Sequence, residues 1–231
     1  MKKTKLIINK NFYSTLSDLS KINKRKRLTN AKKFSFNVAP NLQEIKIGLL
    51  LGDLNAEKQS INGNTRLRFA QGLVNEPYLF HLYDLFQDYS SSLPRKYESK
   101  VDTRTNKIYS TVIFQTYSLP CFNKYYELFY LNKVKIVPLN IGELLTARGL
   151  AYWAMDDGAK LGSGFTFSTN SFQKKEVELL IQVLTENFDL NCSVHIQRKE
   201  EHRIYIKSDS MNKFKELVRP YFHESMLYKL D

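Results

Sequence analysis

The sequence predicts an α+β fold made of two similar halves. Two apolar runs, residues 47–54 (IGLLLGDL) and 150–158 (LAYWAMDDG), each end near an acid, Asp53 in the first and Asp157 in the second. Similar strand-like and helix-like patterns follow each run in the same order, and each series closes on a lysine. This shared order predicts that one unit occurs twice.

The two acids are unusual because of where they stand. A carboxylate at the C-terminal end of a helix meets the negative end of the helix dipole. Packing of an apolar helix does not explain such a residue, so we expect a cationic group at each position. Two such positions indicate a paired, metal-dependent function.

The first half follows Asp53. Residues 66–71 (RLRFAQ) alternate between apolar and polar types, which predicts a strand. Pro77 then opens an amphipathic run (PYLFHLYDLFQDY) and suits the first turn of a helix. Residues 107–116 predict a further strand, residues 121–131 predict a helix, and the half ends at Lys135.

The second half repeats this order after Asp157. Residues 165–168 (FTFS) predict a strand and lead to Asn170, and residues 174–188 carry apolar side chains at helical spacing. A hairpin is predicted for 194–198 and 203–207, and a helix for 211–222 that is interrupted near Pro220. The half ends at Lys229.

The charge of the chain is concentrated at one end. Of the formal charge of +12, residues 1–40 contribute 11 Lys or Arg against one acid, whereas residues 41–231 contain 24 against 22. We therefore divide the chain into a basic N-terminal arm (1–40), a first half (41–140) and a second half (141–231). The arm suits binding along phosphates, with a solvated tail or a targeting peptide as alternatives.

Several classes of protein are disfavoured by composition. The two cysteines, far apart and in no CxxC, argue against a disulfide framework or a zinc site and fit a reducing compartment. The four histidines form no metal-binding spacing, and no GxGxxG or P-loop indicates a nucleotide cofactor. No apolar run approaches the ~20 residues that span a bilayer, so we expect a soluble protein.

The two acidic motifs resemble those of the single-chain, two-motif LAGLIDADG homing endonucleases. LAYWAMDDG is a close match, and GLLLGDL is a degenerate one with Leu54 where glycine is usual. KIVP before the second motif and the terminal YKL add to a resemblance that covers residues 43–231 and is greatest to the omega type of yeast mitochondrial introns. The arm lies outside it.

The resemblance implies two pseudo-symmetric αββαββα halves, with antiparallel sheets forming a DNA-binding saddle and the two motif helices packed at the centre. Small residues would allow those helices to approach closely: Gly48, Gly52, Ala151 and Ala154. Ordinary helix packing would use the same residues, but it would not require an acid at both tips.

The implied reaction is Mg²⁺-dependent hydrolysis of one phosphodiester bond in each DNA strand. Asp53 and Asp157 would bind the metal, while the adjacent Asp156 would cap, orient or pack. Lys135 and Lys229 match the lysines that accompany each metal site. Gln71 and Asn170 could organise water beside the metals, contact DNA or serve the structure.

Target recognition would come from the strands, because a two-stranded ribbon fits the major groove. The same polar residues would also suit any solvated sheet face: Arg66, Arg68, His195, Gln197, Arg198, Arg203 and Lys207.

Three functions remain open. The first is a monomeric, site-specific endonuclease that cuts double-stranded DNA in intron homing, the second is an RNA-binding intron maturase, and the third is a non-catalytic DNA-binding derivative. Retention of both acids and both lysines favours the first. Richness in Lys, Asn, Ile, Tyr and Phe suits an AT-rich organellar gene, which predicts a mitochondrial protein.

Overall fold

The computed structural model describes residues 27–196 and 201–231. A short helix, α1 (Asn30–Phe34), precedes the first half. That half then runs in the order α2 (Pro40–Leu51), β1 (Asn55–Lys58), β2 (Thr65–Gly72), α3 (Glu76–Phe86), β3 (Arg95–Glu98), β4 (Ser110–Gln115) and α4 (Asn123–Phe129). A small hairpin, β5 (Tyr130–Leu131) and β6 (Val134–Lys135), and α5 (Ile141–Leu144) lead to the second half.

The second half has the same order of elements. It comprises α6 (Ala147–Asp157), β7 (Gly158–Leu161), β8 (Gly164–Phe167), α7 (Lys174–Phe188), β9 (Cys192–Ile196), β10 (His202–Ile206) and α8 (Met211–Val218). Short 3₁₀ turns follow at Arg219–Tyr221 and Glu224–Lys229. The predicted duplication and the αββαββα order of each half are thus confirmed.

Each half contains one four-stranded antiparallel sheet. The strand orders are β1-β2-β4-β3 and β7-β8-β10-β9, so corresponding strands occupy corresponding places. In β2 the side chains of Leu67 and Phe69 are buried, while Arg66 and Arg68 alternate with them on the more open face. In β2, one face therefore lies in the core and the other face is more open.

The motif helices α2 and α6 pack against each other at the centre of the molecule. All seven residues from Ile45 to Leu51 are buried, Lys46 among them, so α2 is enclosed on every side, and the other six are apolar or glycine. A Cβ added at Gly48 would lie 1.8 Å from the carbonyl oxygen of Gly149, so the two backbones touch there. Gly149 was not among the small residues predicted for this contact.

The predicted arm overlaps the packed structure at its C-terminal end. Leu28, Phe36 and Val38 are partly buried against the core, and Thr29 caps α1 through its side chain. Residues 1–26, which carry most of the arm's charge, lie outside the described residues. Among the helices that the structure describes, none has the length and apolar character needed to cross a bilayer.

Candidate active site

The two predicted acids lie at corresponding ends of the motif helices. Asp53 stands two residues after the end of α2, and Asp157 is the last residue of α6. Burial, and after it the negative charge of Asp53, raises the pKa of Asp157 to about 7. In the described ranges, no three His, Cys, Asp or Glu side chains are arranged to hold a metal by themselves.

Each tip is contacted by the predicted lysine. Lys135 Nζ donates to the carbonyl oxygens of Gly52 at 2.7 Å and Leu54 at 2.9 Å, one on each side of Asp53. Asn132 and Lys133 both have positive φ, as in the type I′ turns that close two-residue hairpins, and this turn returns the chain to Lys135.

The second lysine makes a similar contact at the other tip. Lys229 Nζ donates to the carbonyl oxygens of Met155 at 2.5 Å and Asp156 at 3.1 Å. Burial lowers the pKa of both Lys135 and Lys229, and the nearby acids oppose that shift. Each ammonium group thus lies at the negative end of a motif helix, where a cation is favoured.

Gln71 lies beside the first acid. Its side-chain amide donates to Asp53 Oδ2 at 2.9 Å, and its own oxygen accepts from Asn75 at 3.2 Å. Gln71 is 7% exposed, so this geometry is set by its surroundings. That Gln71 organises water beside a metal stays a prediction, and its amide lies on the carboxylate that would bind that metal.

Asn170 does not repeat this contact. Its Oδ1 accepts from Arg203 Nε at 3.4 Å. The strand register explains the difference. Asn55 stands two residues after Asp53 and pairs with Arg68, whereas Ala159 stands two residues after Asp157 and pairs with Thr166. Gln71 lies three residues after Arg68, and Thr169 lies three residues after Thr166, so Thr169 is the counterpart of Gln71. Asn170 is one residue farther and points to the other side of the chain.

Asp156 joins the two halves. Its Oδ2 accepts the backbone N–H of Asp53 at 3.1 Å, and its Oδ1 accepts from the hydroxyl of Tyr78 at 3.0 Å. Burial, followed by the charges of Asp53 and Asp157, raises the pKa of Asp156 well above its usual range. Asp156 was predicted to cap, orient or pack, and its contacts suit that prediction, whereas no sequence pattern pointed to Tyr78.

A group of ring-bearing side chains also lies between the halves. His81 Nε2 is 2.9 Å from the hydroxyl of Tyr152, and its ring centroid is 4.7 Å from that of His223. Burial lowers the pKa of His81, which favours the neutral ring.

The predicted DNA-contacting residues lie on the open faces of the sheets where they are described. Arg66 is held by Glu57 at 2.8 Å, whereas Arg68 pairs with Gln115 across β2 and β4. In the other sheet, Arg203 and His195 are cross-strand partners. Lys207 is exposed just beyond the end of β10, and Gln197 and Arg198 lie outside the described residues.

The sequence matches a known protein family over both halves. The profile of the LAGLIDADG DNA endonuclease family matches residues 43–214, which include both motif helices and both sheets. The chain belongs to this family.

Relatives in the LAGLIDADG family include both endonucleases and maturases. A probable intron-encoded endonuclease 1 from Wickerhamomyces canadensis is 35% identical, covering 98% of this chain and 97% of the relative. The cytochrome b mRNA maturase bI2 of Saccharomyces cerevisiae is 32% identical, but this chain spans only 56% of its length.

A solved structure supports the same family assignment. The homing endonuclease I-WcaI, bound to its DNA recognition sequence, superimposes with a TM-score of 0.84 at 30% identity. The match covers 91% of this chain and 96% of the solved one. The similarity therefore extends over most of both chains.

Proposed function

We propose that the protein is a site-specific endonuclease that cuts both strands of a DNA target in intron homing. The observation that carries this proposal is the pair of acids, Asp53 and Asp157, on adjacent helix ends, each with a lysine on the carbonyl groups of its tip. Binding alone would not require this arrangement twice. Because one chain contains both halves, we further propose that it acts as a monomer.

The two acids fit Mg²⁺ as the cofactor. Mg²⁺ is usually held by one or two carboxylates together with substrate phosphates and retained waters, and not by a complete protein cage. Asp53 and Asp157 would supply those carboxylates; burial, and after it the charge of Asp53, raises the pKa of Asp157 to about 7. When bound, the metal would polarise the phosphate and lower the pKa of an attacking water.

The neighbouring side chains have separate tasks. Lys135 and Lys229 hold the helix-tip carbonyl groups and place positive charge next to the acids, where charge develops on the scissile phosphate. Gln71 fixes one oxygen of Asp53, leaving the other oxygen of that carboxylate for a metal or water. We assign no such task to Asn170, because its side chain accepts from Arg203.

We propose that the open faces of the two sheets read the target. Arginine suits the edge of guanine and glutamine suits the edge of adenine in the major groove. Arg68 and Gln115 stand side by side on one sheet, and Arg203 and His195 do so on the other. The DNA bound to I-WcaI supports this proposal, because that protein shares the fold over most of the chain.

The test replaces each acid separately. Asp53→Asn and Asp157→Asn remove a metal-binding charge with little change in volume, so both variants should lose double-strand cleavage in Mg²⁺ and retain DNA binding. Asp88→Asn, which changes an exposed acid in the 3₁₀ turn after α3, is the matched control and should cleave normally. Normal cutting of both strands by either tip variant would show that the paired-site proposal is wrong.

A target library supplies the substrate for this test. Incubating purified protein and Mg²⁺ with randomised duplexes, then sequencing the cut ends, identifies both the recognition site and the two broken bonds. Binding is then measured on the selected duplex by gel shift, with Ca²⁺ in place of Mg²⁺.

A maturase is the second candidate function. The bI2 maturases of Saccharomyces cerevisiae and Debaryomyces hansenii are both 32% identical to this chain and cover 96% and 81% of it. If the protein is a maturase, splicing of its host intron RNA will require it, and Asp53→Asn will still support splicing. If splicing proceeds equally without the protein, the maturase proposal is wrong.

We also propose that the protein acts in mitochondria. The richness in Lys, Asn, Ile, Tyr and Phe suits an AT-rich organellar gene. The naming of two relatives after cytochrome b mRNA agrees with that origin. Detection of the protein in purified mitochondria, protected from added protease, tests the proposal.

A further inference from the structure

The acid of the first half is held by residues from both halves. Gln71, from β2, donates to its carboxylate at 2.9 Å. Asp156, from α6, accepts its backbone N–H at 3.1 Å. Asp156 is in turn fixed by the hydroxyl of Tyr78, from α3, at 3.0 Å, and more loosely by Gln71 at 3.4 Å. Both the backbone and the side chain of Asp53 are therefore anchored.

The acid of the second half has no matching support. The counterpart of Gln71 by strand register is Thr169, whose hydroxyl donates to the carbonyl oxygen of His202 at 2.7 Å. Gly52 precedes Asp53 as Asp156 precedes Asp157, so Gly52 is the counterpart of Asp156. A Cβ on Gly52 would lie only 2.6 Å from the Cβ of Asp156, so there is no room at this position for a side chain that could support Asp157. No side chain in the described part of the molecule donates a hydrogen bond to the carboxylate of Asp157.

We propose that Tyr78 and Asp156 are positioning residues for the half-site of Asp53, and that they make the two DNA strands unequal substrates. The strand served by Asp53 is cut first, and a nicked duplex accumulates before the second cut. This inference rests on the proposed endonuclease function. The inference goes beyond the endonuclease function, because it states which half-site is already ordered before DNA binds.

The physical reason is preorganisation. A carboxylate that is already fixed loses little conformational freedom when the metal and phosphate bind, whereas Asp157 must be ordered at that moment. Losing one hydrogen bond to a buried carboxylate lowers a rate by about 10-fold. Because the hydroxyl of Tyr78 reaches Asp53 only through Asp156, its loss acts by positioning and not by contact with substrate.

The first measurement needs neither metal nor DNA. The N–H of Asp53 donates to the side chain of Asp156, whereas the N–H of Ser168 donates to the backbone oxygen of Asp157. In Tyr78→Phe we expect amide hydrogen exchange, followed by NMR, to be about 10-fold faster at Asp53 and unchanged at Ser168. Asp156→Asn, which keeps the volume but only one acceptor oxygen, should give the same pattern.

The second measurement follows the two strands separately. A duplex that carries the target and a different label on each strand reports both cutting rates in one reaction. In the wild-type protein we expect one strand to be cut first. Tyr78→Phe should slow that strand by about 10-fold and leave the other nearly unchanged, so that the nicked intermediate decreases. A merely structural role would slow both strands together.

Two variants serve as controls. Tyr125→Phe also removes a buried hydroxyl, but one for which the described residues supply no hydrogen-bond partner. Thr169→Val removes the hydroxyl at the position equivalent to Gln71. Both should leave the ratio of the two strand rates and the exchange of the Asp53 amide as in the wild-type protein.

The outcomes separate this inference from the proposed function. If the wild-type protein cuts neither strand, the endonuclease proposal fails, and amide exchange still decides whether Tyr78 and Asp156 position Asp53. If the protein cuts both strands at equal rates, or Tyr78→Phe slows both alike, the inference is overturned while the endonuclease proposal stands. Unchanged exchange at Asp53 in both variants also overturns it.

Discussion

Lys46, on the motif helix α2, is a lysine with no exposed surface. Its ammonium nitrogen lies 3.5 Å from the ring centroid of Tyr125 and 5.1 Å from that of Phe122. Among the described residues it has no hydrogen-bond partner. Burial lowers its pKa from 10.5 to about 6, so the side chain is neutral in the folded protein at pH 7.

The magnitude follows from proton linkage. Between pH 6 and pH 10 the unfolded chain binds one proton at Lys46 that the folded protein does not. This site therefore raises the free energy of unfolding by about 1.4 kcal/mol for each pH unit gained. At pH 7 the cost of losing the proton on folding is about 5 kcal/mol, from the interval between pH 7 and the unfolded pKa.

Lys46→Met keeps a long flexible side chain and removes the titration. We expect this variant to be more stable than the wild-type protein at pH 7 by up to about 5 kcal/mol. Its advantage should shrink by about 1.4 kcal/mol per pH unit, or about 3 kcal/mol between pH 7 and pH 9. Because other titrating groups are common to both proteins, their effects cancel in the difference.

Urea unfolding at pH 7, 8 and 9, followed by circular dichroism, measures this difference. Lys124→Met removes an exposed lysine beside the same Tyr125 ring and should change stability by less than about 0.5 kcal/mol. A stability difference for Lys46→Met that stays constant with pH, or a variant less stable than wild type at pH 7, would refute the reasoning.

Three further outcomes are expected. Gly48→Ala should destabilise the fold by about 3 kcal/mol or more in urea unfolding, because the new Cβ would meet the backbone of Gly149. Gly72→Ala is the control and should not destabilise the fold, because the nearest neighbour of its new Cβ would be 4.0 Å away. Lys135→Met should lower single-turnover cleavage by about 100-fold with DNA binding retained, and equal loss of binding would contradict its assigned task. Arg68→Ala should weaken binding by about 1–3 kcal/mol and relax the preference at one base pair, and uniform weakening across a target library would contradict base reading.

Regular periodicity made part of the fold predictable from the sequence. The helix predicted for 174–188 is found at those residues, because its apolar spacing is uninterrupted and Gln173 and Glu176 form a capping box. The alternation in 66–71 likewise predicted β2. These elements are specified by their own residues.

Other elements depend on tertiary contacts and carried little local signal. β1 (NAEK) and β7 (GAKL) lack strand-forming residues, and their pairing with β2 and β8 makes them strands. The helix predicted for 121–131 was too long, since Tyr130–Leu131 forms the hairpin that carries Lys135. Only the family resemblance implied the complete order of elements.

The candidate site was also predictable only in part. Paired motifs indicated Asp53 and Asp157, and the place of a lysine at the end of each half, together with the family resemblance, indicated Lys135 and Lys229. Asn170 was chosen by analogy with Gln71, but strand register differs by one residue, and register is not visible in a single strand pattern. Tyr78 could not be found at all, because a tyrosine in an amphipathic helix is most often a core residue.

The interface between the halves is polar at both ends and apolar in between. At one end Glu44 accepts from Thr146 at 2.8 Å and pairs with Arg148, and at the other end Asp156 accepts the backbone N–H of Asp53 at 3.1 Å. These contacts fix how α2 and α6 align lengthwise. Recombination between family members would therefore succeed only when such partners are inherited together. A shuffled protein that takes its first half from one parent and its second from another should fold and cut only if both ends match.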